Sequence, residues 1–107
     1  MKKDAFEKYL IQQNISSINN YVSRISTVEK HHGCIDTHYD QDKCQSLLAL
    51  FSYGWNDVYE QSKPLHDIPI SPKSKKSLHE SFREGTSDYA SRIKKYVQFR
   101  NATQYSK

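Results

Sequence analysis

The chain has little of what usually cross-links, breaks or specialises a fold. Two cysteines, Cys34 and Cys44, stand among its 107 residues, with no Cys-x-x-Cys or His-x-x-x-His pair. That is too few for a disulfide framework and the wrong spacing for a structural zinc site. Glycine occurs three times, at Gly33, Gly54 and Gly85. Each falls where a helix would end, so no glycine-rich loop is present to cradle a phosphate. The three prolines, Pro64, Pro69 and Pro72, all lie within one short segment. No apolar run approaches the roughly 20 residues needed to cross a bilayer. Met1-Lys2-Lys3 is followed by Asp4 and Glu7, not by an apolar stretch, so no secretory leader is read. A reducing, cytoplasmic setting with two free thiols is the expectation. Alternation of apolar and polar residues is nowhere sustained, so no strand is read, and no internal repeat is read.

What is present is aromatic and basic. Hydrophobic residues make only 36% of the chain and mean hydropathy is -0.89. Eight Tyr, four Phe and one Trp supply volume for a small core. The net charge of +4 is unevenly placed. Residues 1–70 hold seven Lys/Arg and nine Asp/Glu, a net of -2. Residues 71–107 hold nine basic residues against Glu80, Glu84 and Asp88, a net of +6. Such a basic third attracts polyanions and releases counterions on binding, although Lys and Arg also simply solvate helix surfaces.

Periodicity gives a single all-α domain over 1–107, a bundle of four or five helices with an ordered core of about 4–100. Phe6, Tyr9, Leu10 and Gln13 mark a first helix over 4–13. Ser16 or Ser17 caps a second, which runs to His32 on a stripe of Ile18, Tyr21, Val22, Ile25 and Val28. Gly33 stops it. Residues 34–39 read as a connection. Asp40 is the expected cap of a third helix, with Asp42 at the positive end of its dipole and Cys44, Leu47, Leu48 and Phe51 facing inward. The proline segment is irregular, and Leu65, Ile68 and Ile70 tuck it onto the core. A weak helix over 74–84 ends at Gly85, and Thr86 caps a last helix. On that helix Tyr89, Ile93, Tyr96, Val97 and Arg100 form the stripe, while Arg92, Lys94 and Lys95 lie off it. The tail 101–107 is expected to fray.

Several of these segments carry a resemblance. The run FEKYLIQQNISSINNYVSRISTVEKHHG at 6–33 is similar to the opening of the helical core-binding domain of phage-type tyrosine recombinases. Taken with IDTHYDQDKCQSLLALFSY, HDIPI and GTSDYASRIKKYVQFR, the chain resembles a small N-terminal helical module found ahead of nuclease domains in bacterial restriction-like and mobile-element proteins. The resemblance covers most of the chain. It implies a SAM-like, core-binding-like fold, a DNA-facing role and an origin as cargo of mobile elements such as integron cassettes. It departs in a Lys/Ser-rich insertion at 71–84, and no nuclease segment follows. The family's chemistry is therefore not carried over, and the expectation is a non-enzyme.

The candidate sites follow. Lys73, Lys75 and Lys76, with Arg92, Lys94, Lys95 and Arg100, are the expected contacts to DNA phosphates, without base readout. Tyr89 and Tyr96 belong to the core, or else stack on bases at the edge of a basic groove. Tyr53, Trp55 and Tyr59 are the candidate patch for the competing reading, a homo-oligomeric or adaptor module with no nucleic-acid role. His31, His32, Cys34, His38 and Cys44 lie close in sequence, but helix-end polarity and core packing explain them better than a metal or a Cys–His nucleophile. Asp36, Asp40 and Asp42 are better explained as caps than as metal ligands. No catalytic residue, cofactor, metal, membrane contact or small-molecule substrate is assigned.

Overall fold

In the computed structural model, the residues described are 1–52, 66–70 and 78–104. They form five helices and no strand: α1 (Lys3–Gln12), α2 (Ile18–His32), α3 (Ile35–Asp42), α4 (Gln45–Ala49) and α5 (Leu78–Gln104). The all-α expectation holds. Among these residues no helix is long and apolar enough to cross a membrane.

Each helix buries what its spacing predicts. On α1, Phe6 and Leu10 are one turn apart and fully buried. On α2, Ile25 and Val28 face inward, and Gly33 ends the helix at φ 87, a conformation costly to a residue with a Cβ. Ser17 is the N-cap residue of α2, but its hydroxyl makes no capping bond. Its carbonyl takes the Asn20 and Tyr21 amides instead.

The third helix departs from expectation. Residues 35–42 are helical, not a connection, with Ile35 and Tyr39 one turn apart and buried. Asp40 therefore sits near a helix end, not at a start. Lys43 and Cys44 both take left-handed backbone, at φ 56 and 65, and split the single expected helix into α3 and α4. The cap of α4 comes from Asp42, whose carboxylate accepts from the Ser46 amide at 3.0 Å and the Ser46 hydroxyl at 2.5 Å. Cys44 is buried, as its spacing predicts.

The second departure is α5. It runs unbroken for 27 residues, about 40 Å at 1.5 Å per residue. Gly85 does not end a helix and Thr86 does not start one. Residues 78–84 of the expected insertion and 101–104 of the expected tail are helical. Gly85 instead lets segment 66–70 approach. A Cβ built there would lie 2.8 Å from Ile70 Cγ2. Thr86 is buried and takes part in a 2.8 Å hydrogen bond with His66 Nε2.

The core lies along α5. Tyr96 and Phe99 meet Phe6 at ring-centroid distances of 5.0 and 5.4 Å, and each other at 5.3 Å. Further along, Phe51 stacks on His66 at 4.6 Å, with Tyr89 beside them. Both Tyr89 and Tyr96 are thus core residues and not base-stacking platforms.

Candidate nucleic-acid interface

Of the expected cations, the four that are described, Arg92, Lys94, Lys95 and Arg100, do not share one face. Lys73, Lys75 and Lys76 lie outside the described residues, as do Tyr53, Trp55 and Tyr59 of the alternative patch. Among the described residues the one large hydrophobic that is exposed is Ile11, at 60%. A single side chain of this kind is ordinary for a protein surface.

Arg100 points into the fold. Its Nη1 lies 2.5 Å from Asp36 Oδ1, Nη2 is 3.5 Å from Asp40 Oδ1, and the guanidinium sits 4.4 Å from the Tyr39 ring centroid. Around it a network ties α5 to α3 and the N-terminus. The Tyr96 hydroxyl donates to Asp36 at 2.6 Å and accepts from the Lys2 amide at 2.8 Å. The Tyr39 hydroxyl donates to Asn101 at 2.6 Å. The amino group of Met1 bridges Glu29 at 2.7 Å and Asp36 at 3.2 Å. Burial would raise the Asp36 pKa, but the Tyr96 hydroxyl, the Met1 ammonium and Arg100 hold it below the usual carboxylate range. Burial, reinforced by Asp36, pushes the Tyr96 phenol well above its ordinary value. With its charge committed to Asp36, Arg100 is removed from the phosphate-facing set.

Of the sulfur and imidazole groups, Cys44, His38 and His66 are committed to the fold, while Cys34 is an exposed free thiol. Burial pushes the Cys44 thiol up to about 12, and its Sγ donates to the Ile35 carbonyl. Such a thiol is no nucleophile at neutral pH. His38 Nε2 donates to the His32 carbonyl at 2.7 Å. His66 is buried; its Nδ1 accepts from the Ile68 amide, so Nε2 carries the proton given to Thr86. No group of three or more His, Cys, Asp or Glu side chains is gathered for a metal among the described residues.

The remaining cations of α5 divide between two sides. Lys94 is exposed and lines a cleft with Phe51, Ser87 and Asp88. Arg92 faces the seam with α2, and Lys95 follows three residues on. Arg92 lies over Tyr21, its Cζ 4.3 Å from the ring centroid, and its Nε donates to Asn20 Oδ1 at 3.0 Å. Among the described residues, Lys95 bonds Gln98, at 3.2 Å.

Across the same seam, Arg24 of α2 lies over Tyr89 of α5 at 5.3 Å. Sequence reading passed over Arg24, because it comes from the acidic part of the chain. A signal was nevertheless there. Asn20-Tyr21-Val22-Ser23-Arg24-Ile25 recurs as Asp88-Tyr89-Ala90-Ser91-Arg92-Ile93. In both copies the Ile is fully buried. Neither Arg24 nor Arg92 has a carboxylate partner among the described residues. Stacking occupies the flat face of a guanidinium and leaves N–H groups at its edge for a ligand.

The sequence matches no protein-family model, and neither a curated protein nor a solved structure is detectably similar to the chain.

Proposed function

We propose that this chain is an accessory nucleic-acid-binding helical protein that grips phosphate backbone through the α2–α5 seam, with no chemistry of its own. One observation carries the reading: two guanidinium groups, Arg24 and Arg92, are held over tyrosine rings with no carboxylate among the described residues to neutralise them. Lys95 extends the same side of α5 and Lys94 adds charge on its other flank. Arginine without an acidic partner, pre-positioned by stacking, is suited to phosphate oxygens. The excess of base over acid in residues 71–107 supports the same conclusion. So does the resemblance to the helical module of mobile-element nucleases, which makes an integron-cassette origin and a cytoplasmic setting part of this reading. The contacts proposed are to backbone, so sequence preference is weak.

The test is fluorescence anisotropy on a labelled duplex of mixed sequence, titrated between about 50 and 200 mM salt. Wild type binds with a steep salt dependence. The triple variant Arg24→Gln/Arg92→Gln/Lys95→Gln flattens the logarithmic salt slope by about 2.7, at roughly 0.9 per lost phosphate contact. Lys43→Gln, an exposed lysine on another part of the surface, serves as the control. Salt-insensitive binding by wild type, or an unchanged slope in the triple variant, overturns the proposal.

A further inference from the structure

We infer that Arg24 and Arg92 are the two arms of one anion site that takes two linked phosphate groups, an inference that rests on the phosphate-binding reading above and gives it a location and a ligand class. The starting point is the register of the seam. Asn20 and Tyr21 meet Arg92, and Arg24 meets Tyr89. Residue number rises along α2 as it falls along α5, so the two helices run antiparallel. Two copies of one short sequence on antiparallel helices are related by a local two-fold axis across the seam. The pairing is reciprocal: each copy supplies the tyrosine on which the other copy's arginine rests.

That exchange places the two guanidinium groups about one helical turn apart along the seam. Each presents N–H groups in a planar fork that matches phosphate oxygens bidentately. A single phosphate satisfies one fork. Two phosphates joined directly, or through one sugar, satisfy both. The recognised chemistry is therefore a run of linked phosphates, which a polynucleotide and an inorganic polyphosphate share.

The symmetry fails at one position. Asn20 precedes Tyr21 and accepts from Arg92 Nε, whereas Asp88 precedes Tyr89. Asp88 lines a cleft together with Arg24 and Tyr89 but makes no ion pair with Arg24. Its charge opposes an anion in that arm. Asp88→Asn makes the arms alike and should tighten binding.

The experiment is calorimetric titration of the full chain with orthophosphate, pyrophosphate and single-stranded oligothymidylate. Pyrophosphate is expected to bind about tenfold more tightly than orthophosphate, the increment of one added charged hydrogen-bond pair. Arg24→Gln and Arg92→Gln each bring pyrophosphate down towards the orthophosphate level. Arg24→Lys and Arg92→Lys do the same while preserving charge, because an ammonium lacks the fork. Unchanged thermal midpoints and far-ultraviolet circular dichroism in the lysine variants show that the fold is intact. Equal affinity for the two phosphates, or loss confined to one arginine, overturns the two-armed site. Oligothymidylate binding that survives both substitutions also removes the site, but leaves backbone binding in place. Arginine-dependent pyrophosphate binding without oligonucleotide binding keeps the site, assigns it to free polyphosphate, and removes the nucleic-acid reading.

Discussion

Gly85→Ala separates two forces of opposite sign. In an exposed helix interior, alanine is more stable than glycine by about 1 kcal/mol, because glycine loses more backbone entropy. Gly85 lies well inside α5, so propensity alone makes the substitution stabilising. The added Cβ would lie 2.8 Å from Ile70 Cγ2, 3.0 Å from Cδ1 and 3.3 Å from Cγ1. Ile70 must shift, and overpacking of this kind costs about 1–3 kcal/mol. Packing wins, and Gly85→Ala is expected to destabilise by about 1 kcal/mol. In an Ile70→Ala background the three contacted carbons are gone. The same substitution should there stabilise by about 1 kcal/mol, giving a coupling of about 2 kcal/mol between the sites. Urea unfolding followed by far-ultraviolet circular dichroism reads both effects. With a denaturant dependence near 2 kcal/mol per molar, each kcal/mol moves the midpoint by about 0.5 M. If Gly85→Ala raises the midpoint equally in both backgrounds, Ile70 does not press on this helix and the reasoning fails.

Four further outcomes follow from the polar groups. Asp36→Ala should cost about 3 kcal/mol, because it strips charged partners from Arg100, Tyr96 and the Met1 ammonium at a half-buried site, and a thermal melt reads this as a fall of roughly 12–24 °C. Arg100→Gln combined with Asp36→Asn should cost less than the two single losses added, and additive losses would refute a direct pair. Because the Asp36 pKa is lowered by folding, its stabilisation is complete above the unfolded value of about 3.9 and fades as pH falls through the folded value; Asp36→Asn should lack that acid-limb component in denaturant titrations below about pH 4. For His66, burial and then His32 lower the pKa, so the unfolded chain binds the proton first as pH drops. Stability should fall below about pH 6.5, by at most about 1.4 kcal/mol per pH unit for this residue, and His66→Gln should shed that slope; a slope identical to wild type would rule out a neutral, buried imidazole.

The helices that were legible are those with several apolar residues on one stripe. α1 and α2 announce themselves through Phe6, Leu10, Ile25 and Val28, and Gly33 ends α2 where glycine is expected. α3 was not legible, because IDTHYDQD offers periodicity only Ile35 and Tyr39. Its support is tertiary: Asp36 to Arg100 and Tyr39 to Asn101, each more than 60 residues away. The break at Lys43 and Cys44 has no local signature either, since left-handed backbone is usually announced by glycine or asparagine. Gly85 was misread because a helix stop and a close approach call for the same residue. Only Ile70, arriving from the irregular segment, distinguishes them. Of the candidate site, the basic character of α5 was legible but its facing was not.

Charge along a chain is not charge on a surface, and this fold exchanges the two at specific residues. Arg92 and Arg100 sit on the same basic helix, eight residues apart, which rotates one about 80° from the other. That rotation carries Arg100 to Asp36 and Asp40, so part of the +6 third is consumed by carboxylates of the -2 body. The signal was its place on the stripe with Tyr96: a charged residue at a buried position needs a partner. In return, Arg24 from the acidic body is brought to the seam, where an aromatic ring and not a carboxylate holds it. The distinction between a structural and a ligand-facing arginine is thus decided by what the opposite helix supplies. A carboxylate neutralises the guanidinium and locks the fold, as at Arg100. A tyrosine fixes its position and supplies no countercharge, as at Arg24 and Arg92.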